Sequence, residues 1–282
     1  MEKTYDEYLN EINKYGFTIL KNVIDHKLID KVIHDFNEWA SLPENNYSSF
    51  NRVTNFHIYS KNTLDLVTNN KVQELIKLYF NKDPSIYSSL FFKKGTSQNY
   101  HRDTPYFFTN PIDNYCAAWY ALEDVNVNAG PLKYYIGSHK IEDPSGFDIY
   151  NKLYGNQETD NIPESEIVNN CLNEYFNVIK EKCDEQKLII SDEKNYINKI
   201  KKGDVFIWHP KLLHGGSNII NESLTRYSMV THLVPINTQV FGHLQFCKKE
   251  PSKEYLDNHF TYEYINHNNI NIINHNILPR VQ

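Results

Sequence analysis

The chain has 282 residues, 40% hydrophobic and 23% charged, enough to bury a substantial core in one large domain. Its net charge of −6 argues against a basic nucleic-acid binder. No apolar run approaches the ~20 residues that cross a bilayer, and the opening MEKTYDEYLNEINKYGF lacks an apolar signal core, so a cytoplasmic protein without a membrane span is expected.

The first third, 1–85, reads as a helical N-terminal layer. Ile24, Leu28, Ile29, Val32, Ile33 and Phe36 recur at helical spacing and predict an amphipathic helix over 25–40, with Asp25 as N-cap. A second helix is expected over 69–80, and short strands near 17–20 and 56–59. From residue 86 the period changes. Strands are predicted at 86–92, 116–122, 132–136, 205–208 and 227–234, separated by turn signals such as Asn128-Ala-Gly-Pro131. This pattern predicts a mainly β fold, a double-stranded β-helix or jelly-roll barrel with flanking helices. Stretch 141–200 interrupts it with thirteen Asp and Glu against six Lys and a helical segment, Glu164–Cys183. Insertions of this length in compact domains serve as lids or as solvated surface excursions. The extension 236–282 ends in the Asn-rich INHNNINIINHNILPRVQ, which reads as an extended or partly disordered arm. The cysteines, Cys116, Cys171, Cys183 and Cys247, form no C-x-x-C pair and read as reduced structural thiols.

Three groups carry chemistry. His101-Arg102-Asp103 puts an imidazole and a carboxylate on one face if the segment is extended. His214, in HPKLLHGGSN, follows the strand GDVFIW and offers a second imidazole. Two histidines and one carboxylate occupy one face of an octahedral ion and leave positions open, the arrangement of non-haem Fe(II) oxygenases. Arg226 lies twelve residues after His214, so a hairpin between them would bring its guanidinium close. Such a group clamps a carboxylate through two parallel hydrogen bonds. Ser228 shares the face of Arg226 and adds a hydroxyl. Tyr87, Ser89 and Phe91 alternate on one strand face and are candidates for a pocket wall, as is Gln98. His139 reads as a structural turn histidine, and His209 as a turn or surface residue.

In order along the chain, KKGTSQNYHRDTPYF, CAAWYALEDVNVNAGPLKYYIGSHK and KKGDVFIWHPKLLHGGSNIINESLTRYS resemble the phytanoyl-CoA dioxygenase family, within the Fe(II)/2-oxoglutarate-dependent dioxygenases. The resemblance implies a single catalytic domain with His101, Asp103 and His214 as iron ligands, Arg226 binding the distal carboxylate of 2-oxoglutarate, and Trp119 lining the co-substrate site. It implies Fe(II), 2-oxoglutarate and O2 as cofactor and co-substrates, and hydroxylation of a small-molecule C–H bond with release of succinate and CO2. A carboxylate at 103 favours hydroxylation or desaturation over halogenation, which needs that coordination position for halide. The sequence departs from the family at Ile136, where Pro is usual, and at Gly216, where some members carry a co-substrate-binding Ser. Ser217 or Ser228 is expected to replace that hydroxyl.

The acidic insertion and net negative charge favour a neutral or cationic substrate over an acyl-CoA, which wants a basic patch. Acyl-CoA hydroxylation is the alternative within the enzyme reading. Outside it stand a non-catalytic binding protein on the same barrel and a redox-inert zinc or nickel enzyme. Nothing in the sequence specifies an oligomeric state.

Overall fold

The computed structural model describes residues 3–48, 50, 52–155, 157–191, 200–241, 262–275 and 279–282. Cys247 and part of each predicted extension lie outside them.

The N-terminal layer begins with α1 (Tyr5–Tyr15), started by a reciprocal cap in which Thr4 and Glu7 satisfy each other's backbone N–H. Strand β1 (Phe17–Leu20) follows, then α2 (His26–Ser41), whose N-cap Asp25 accepts from the Lys27 N–H at 3.0 Å. Strand β2 (Arg52–Thr54) precedes α3 (Lys61–Val67) and α4 (Asn70–Phe80). The strand expected at 56–59 is instead a 3-10 turn, Phe56–Ile58. Asn55 enters it with φ +56°, a left-handed conformation that ends the extended chain just after β2.

The barrel strands are β3 (Pro84–Phe92), β4 (Thr109–Asn110), β5 (Cys116–Ala121), β6 (Leu132–Tyr134), β7 (Val205–Trp208), β8 (His214–Gly216), β9 (Ser228–Pro235) and β10 (Gln239–Val240). Helices α5 (Gly146–Leu153) and α6 (Glu164–Glu185) come from the insertion. The Asn-rich tail is largely ordered as strands: β11 (Tyr264–His267) and β12 (Ile270–Ile273) form a hairpin, and β13 (Arg280–Val281) follows. The main sheet runs β1-β7-β5-β9-β3-β12-β11, with β2 joining β3 and β13 joining β2. All its pairs are antiparallel except β12 with β3. A small second sheet, β6-β8, faces it.

Alternation along the strands divides the interior in two. Val53, Phe91, Ala118, Tyr120 and Ile207 point to the helical layer, where α2 contributes Ile29, Val32 and Phe36. Phe92, Trp119, Phe206, Trp208 and Val230 point into the barrel. A bulge between Ile86 and Ser88 shifts the β3 register. Tyr87 therefore reaches the cavity together with Leu90 and Phe92, while Phe91, expected on the Tyr87 face, packs 4.0 Å ring to ring on Phe36 in the helical layer. The insertion has a core of its own, with Ile149 on α5 packed among Cys171, Tyr175 and Ile179 on α6.

Candidate active site

Three donors converge in a cavity of about 440 Å³ between the sheets. His101 and His214 form an isolated antiparallel bridge, each N–H donating to the other's carbonyl at 2.8 and 3.0 Å. The bridge sets the imidazole centroids 4.3 Å apart. Asp103 follows in a bend rather than a strand, its N–H donating to the Pro210 carbonyl at 3.0 Å. One ligand atom from each of the three lies within 4.8 Å of the others.

Each ligand is oriented from behind. His101 Nδ1 lies 2.9 Å from the Asn99 carbonyl and His214 Nδ1 lies 2.9 Å from the Leu212 carbonyl. A carbonyl only accepts, so each Nδ1 carries the proton and each Nε2 keeps its lone pair for an ion. Asp103 Oδ2 accepts the Trp208 indole N–H at 2.8 Å, and Oδ1 stands 3.9 Å from His214 Nε2. Removal from water favours uncharged forms. It lowers the His101 pKa to about 4, with help from His214, and that of His214 to about 4. It raises Asp103 to about 6, opposed by His101 and the Trp208 hydrogen bond. Neutral imidazoles are the form that binds metal, and a cation would return the carboxylate to its charged state.

The local sequence explains the convergence. A Cβ at Gly215 would stand 2.6 Å from the Gln98 carbonyl, and one at Gly216 would stand 2.9 Å from the Thr96 hydroxyl. The H-G-G run thus lets β8 close on segment 96–101 so that the two histidines face each other. Arg102, fully buried, points away from its neighbours. It donates to the Ser138 and Ile141 carbonyls and pairs with Asp143, which also receives Tyr175 of α6 and, at 2.8 Å, Lys211. Ser138 Oγ accepts the Leu213 N–H at 2.8 Å, and His139 Nε2 lies 3.1 Å from the Asn13 carbonyl. G-S-H is thus a structural brace behind the ligands. His209 caps a turn, its Nδ1 accepting from the Lys211 N–H.

Arg226 is 2% exposed and lines the same cavity. Its Nη1 donates to the Gly130 carbonyl at 2.6 Å, while its buried Nε has no partner. The guanidinium centre lies 5.8 Å from the Trp119 ring and 5.9 Å from that of Phe92. Among the described residues no carboxylate lies within ion-pair distance of it, and burial lowers its pKa to about 10 against the opposing charge of Glu123. The expected hairpin from His214 to Arg226 does not form: β8 pairs with β6, whereas Arg226 leads into β9, which pairs with β3 and β5. The two residues enter the cavity from different sheets.

Trp119, Gln98 and Tyr87 line the cavity, with the Gln98 amide nitrogen 3.3 Å from His101 Nε2. Ser228 and Ser217 are not among its lining residues. Ser228 Oγ donates to the Arg226 carbonyl at 3.3 Å, and the Ser217 hydroxyl is buried without a partner. The Thr96 side chain lines the cavity in the space a side chain at 216 would need. Sequence reasoning missed Trp208, which reads as a core aromatic until its indole is seen on Asp103. It also missed Arg52 and Arg280, which line the same cavity.

Comparison with known proteins adds three findings. The profile of the phytanoyl-CoA dioxygenase family matches residues 12–227. A phytanoyl-CoA dioxygenase domain-containing protein 1 homolog of Caenorhabditis briggsae is 25% identical over 95 residues, 32% of this chain and 33% of that protein, so the match spans about a third of the relative's length. Among solved structures, the fold is similar to the non-haem alpha-ketoglutarate-dependent epimerase SnoN of nogalamycin biosynthesis (13% identity, TM-score 0.60, 95% of this chain and 97% of that one). It is also similar to HygX of Streptomyces hygroscopicus with nickel and 2-oxoglutarate bound (14%, 0.56, 83% and 88%). A third similar structure is EctD of S. alaskensis with bound Fe (12%, 0.59, 86% and 82%).

Proposed function

This chain belongs to the phytanoyl-CoA dioxygenase family, and from that premise we propose that it is an Fe(II)- and 2-oxoglutarate-dependent oxygenase that hydroxylates a C–H bond of a small molecule. The observation that carries the reading is the pairing of a three-donor set with a buried guanidinium that has no carboxylate within ion-pair distance among the described residues, in one cavity. Burying an unpaired charge costs several kcal/mol, a cost that an anionic co-substrate would offset.

His101 Nε2, His214 Nε2 and one Asp103 oxygen would hold the iron, and Arg226 would receive the distal carboxylate of 2-oxoglutarate. The chemistry such a centre would supply is O2 activation coupled to conversion of 2-oxoglutarate to succinate and CO2. The chain's own residues do the positioning. The Asn99 and Leu212 carbonyls fix the imidazole tautomers, and Trp208 turns Asp103 so that one oxygen stays free. Trp119 and Phe92 flank the guanidinium and keep water from it. Asp103 fills the coordination position that halide would need, which favours hydroxylation.

The reading is tested anaerobically. Adding Fe(II) and 2-oxoglutarate to metal-free protein should give a visible charge-transfer band that requires both and is lost in His101→Ala. Admitting O2 should then release succinate. A folded protein that gives no band with both additions would refute the assignment and favour the binding-protein or redox-inert readings.

A further inference from the structure

Strand β2 and the end of the chain build a second anion site at the rim of this cavity. In the antiparallel pair, Arg280 stands opposite Thr54 and Val281 opposite Val53, and the Gln282 N–H donates to the Arg52 carbonyl at 2.9 Å. Residues directly opposite share a face, and residues two apart on one strand share it too. Val53 and Val281 therefore go to the helical layer. Arg52, Thr54, Arg280 and Gln282 go to the cavity, which all four line. The Arg52 Nε–H donates to Gln282 Oε1 at 3.0 Å, and the Thr54 hydroxyl donates to the Arg280 carbonyl at 3.2 Å. Arg52 is near enough to His101, Tyr106 and His232 for its charge to act on all three.

Among the described residues its lining holds three guanidiniums, those of Arg52, Arg226 and Arg280, against one carboxylate side chain, that of Asp103. Among the described residues, neither Arg52 nor Arg280 forms an ion pair with an Asp or Glu side chain. If the oxygenase reading holds, Asp103 faces iron and Arg226 faces 2-oxoglutarate, which leaves two cations with no assigned counter-charge. Beside them stands a wall of Tyr87, Tyr106 and Phe107.

We propose that Arg52 and Arg280 bind an anionic oxyacid group, carboxylate or phosphate, on the substrate, and that the aromatic wall holds the substrate's body. The proposal rests on the oxygenase reading. It reverses the expectation of a neutral or cationic substrate, because the charge lining the cavity, and not the charge summed over the chain, acts on the ligand.

Full-length protein loaded with Mn(II) and 2-oxoglutarate provides the test, with phenylacetate, phenyl phosphate and neutral phenylacetamide as probes followed by ligand-observed NMR titration. At least one anion should bind more tightly than the amide, and the preferred anion identifies carboxylate or phosphate as the recognised group. Arg52→Gln and Arg280→Gln should each weaken that anion by about tenfold or more and leave the amide unchanged. Arg280 is exposed, so its variant separates recognition from folding. Equal binding of all three probes by the wild type would overturn the proposal, and so would unchanged anion binding in both variants. Loss of 2-oxoglutarate affinity in the variants, without loss of probe affinity, would also overturn it by assigning the pair to the co-substrate. The Fe(II)/2-oxoglutarate band recorded on the same proteins keeps the two readings apart: its absence in wild type removes the oxygenase reading, while anion binding is still read directly.

Discussion

The floor and the rim of the cavity both use polar groups, but the chain assembles them in opposite ways. At the floor, each ligand is oriented by a neighbour close in sequence or by a buried strand: Asn99 for His101, Leu212 for His214, Trp208 for Asp103. At the rim, two arginines 228 positions apart meet only because the last strand pairs with β2. In the proposed reading, a centre whose three donors must meet one ion is braced from behind. The proposed substrate-selecting site is set on paired chain segments at the surface, where it could vary without disturbing the centre.

Four substitutions or conditions would break or sharpen that contrast. The largest effect is expected for Arg226→Ala, because truncating one partner of a buried charged contact typically costs about 2–5 kcal/mol. The dissociation constant for 2-oxoglutarate should rise accordingly while the metal content of the purified protein stays normal. Unchanged co-substrate affinity would remove Arg226 from its role.

Next comes Trp208→Phe, which keeps the ring and deletes the N–H that holds Asp103 Oδ2. Groups behind metal ligands typically contribute about 10–100-fold in metal affinity. Competition with a chelator should show a loss in that range, and a wild-type affinity would show that the floor needs no brace.

Acid acts on the fold around the cavity through buried imidazoles. Burial lowers the pKa values of His57 and His232 to about 3. Unfolded, each imidazole takes a proton near 6.5. Between about 6.5 and about 3 the unfolded chain therefore binds more protons, and stability falls as pH falls through that window. Denaturant midpoints measured from pH 7.5 to 5 should decline, and His57→Gln should make the decline shallower. An equal slope in that variant would place the acid sensitivity elsewhere.

The smallest effect belongs to Ser228→Ala. Its hydroxyl donates to the Arg226 carbonyl and is not among the groups lining the cavity, so the cost to 2-oxoglutarate affinity should stay below that of one neutral hydrogen bond, about 1 kcal/mol. A larger loss, exceeding that of Thr96→Val, would restore Ser228 as a co-substrate contact.

What was legible in the sequence tracks this same division. The three donors were visible because H-x-D and H-G-G are short local patterns, and the hydrophobic period located α2, α4 and most barrel strands to within a residue or two. Gly216 was visible too, but not that Thr96 fills the space beside it. Features that depend on pairing between distant strands were hidden. Trp208 looks like any core tryptophan until β7 lies beside Asp103. Phe91 and Leu90 exchange faces because of one bulged residue, which no period-2 reading detects. The His214–Arg226 hairpin failed because the chain crosses from one sheet to the other between them. The charge summed over the chain does not carry over to the cavity, because the acidic side chains of the insertion among the described residues are not in its lining.

The buried Arg102 has a consequence in time. It ties the ligand segment to the Ser138–Ile141 turn and, through Asp143 and Tyr175, to α6. Freeing α6 from the barrel would take Tyr175 off Asp143 and open the buried Arg102–Asp143 pair to water, so the helix should not open by itself. In deuterated solvent, the central α6 amides should exchange on the slow schedule of β5, and the 141–191 segment should keep pace with the barrel rather than run ahead of it.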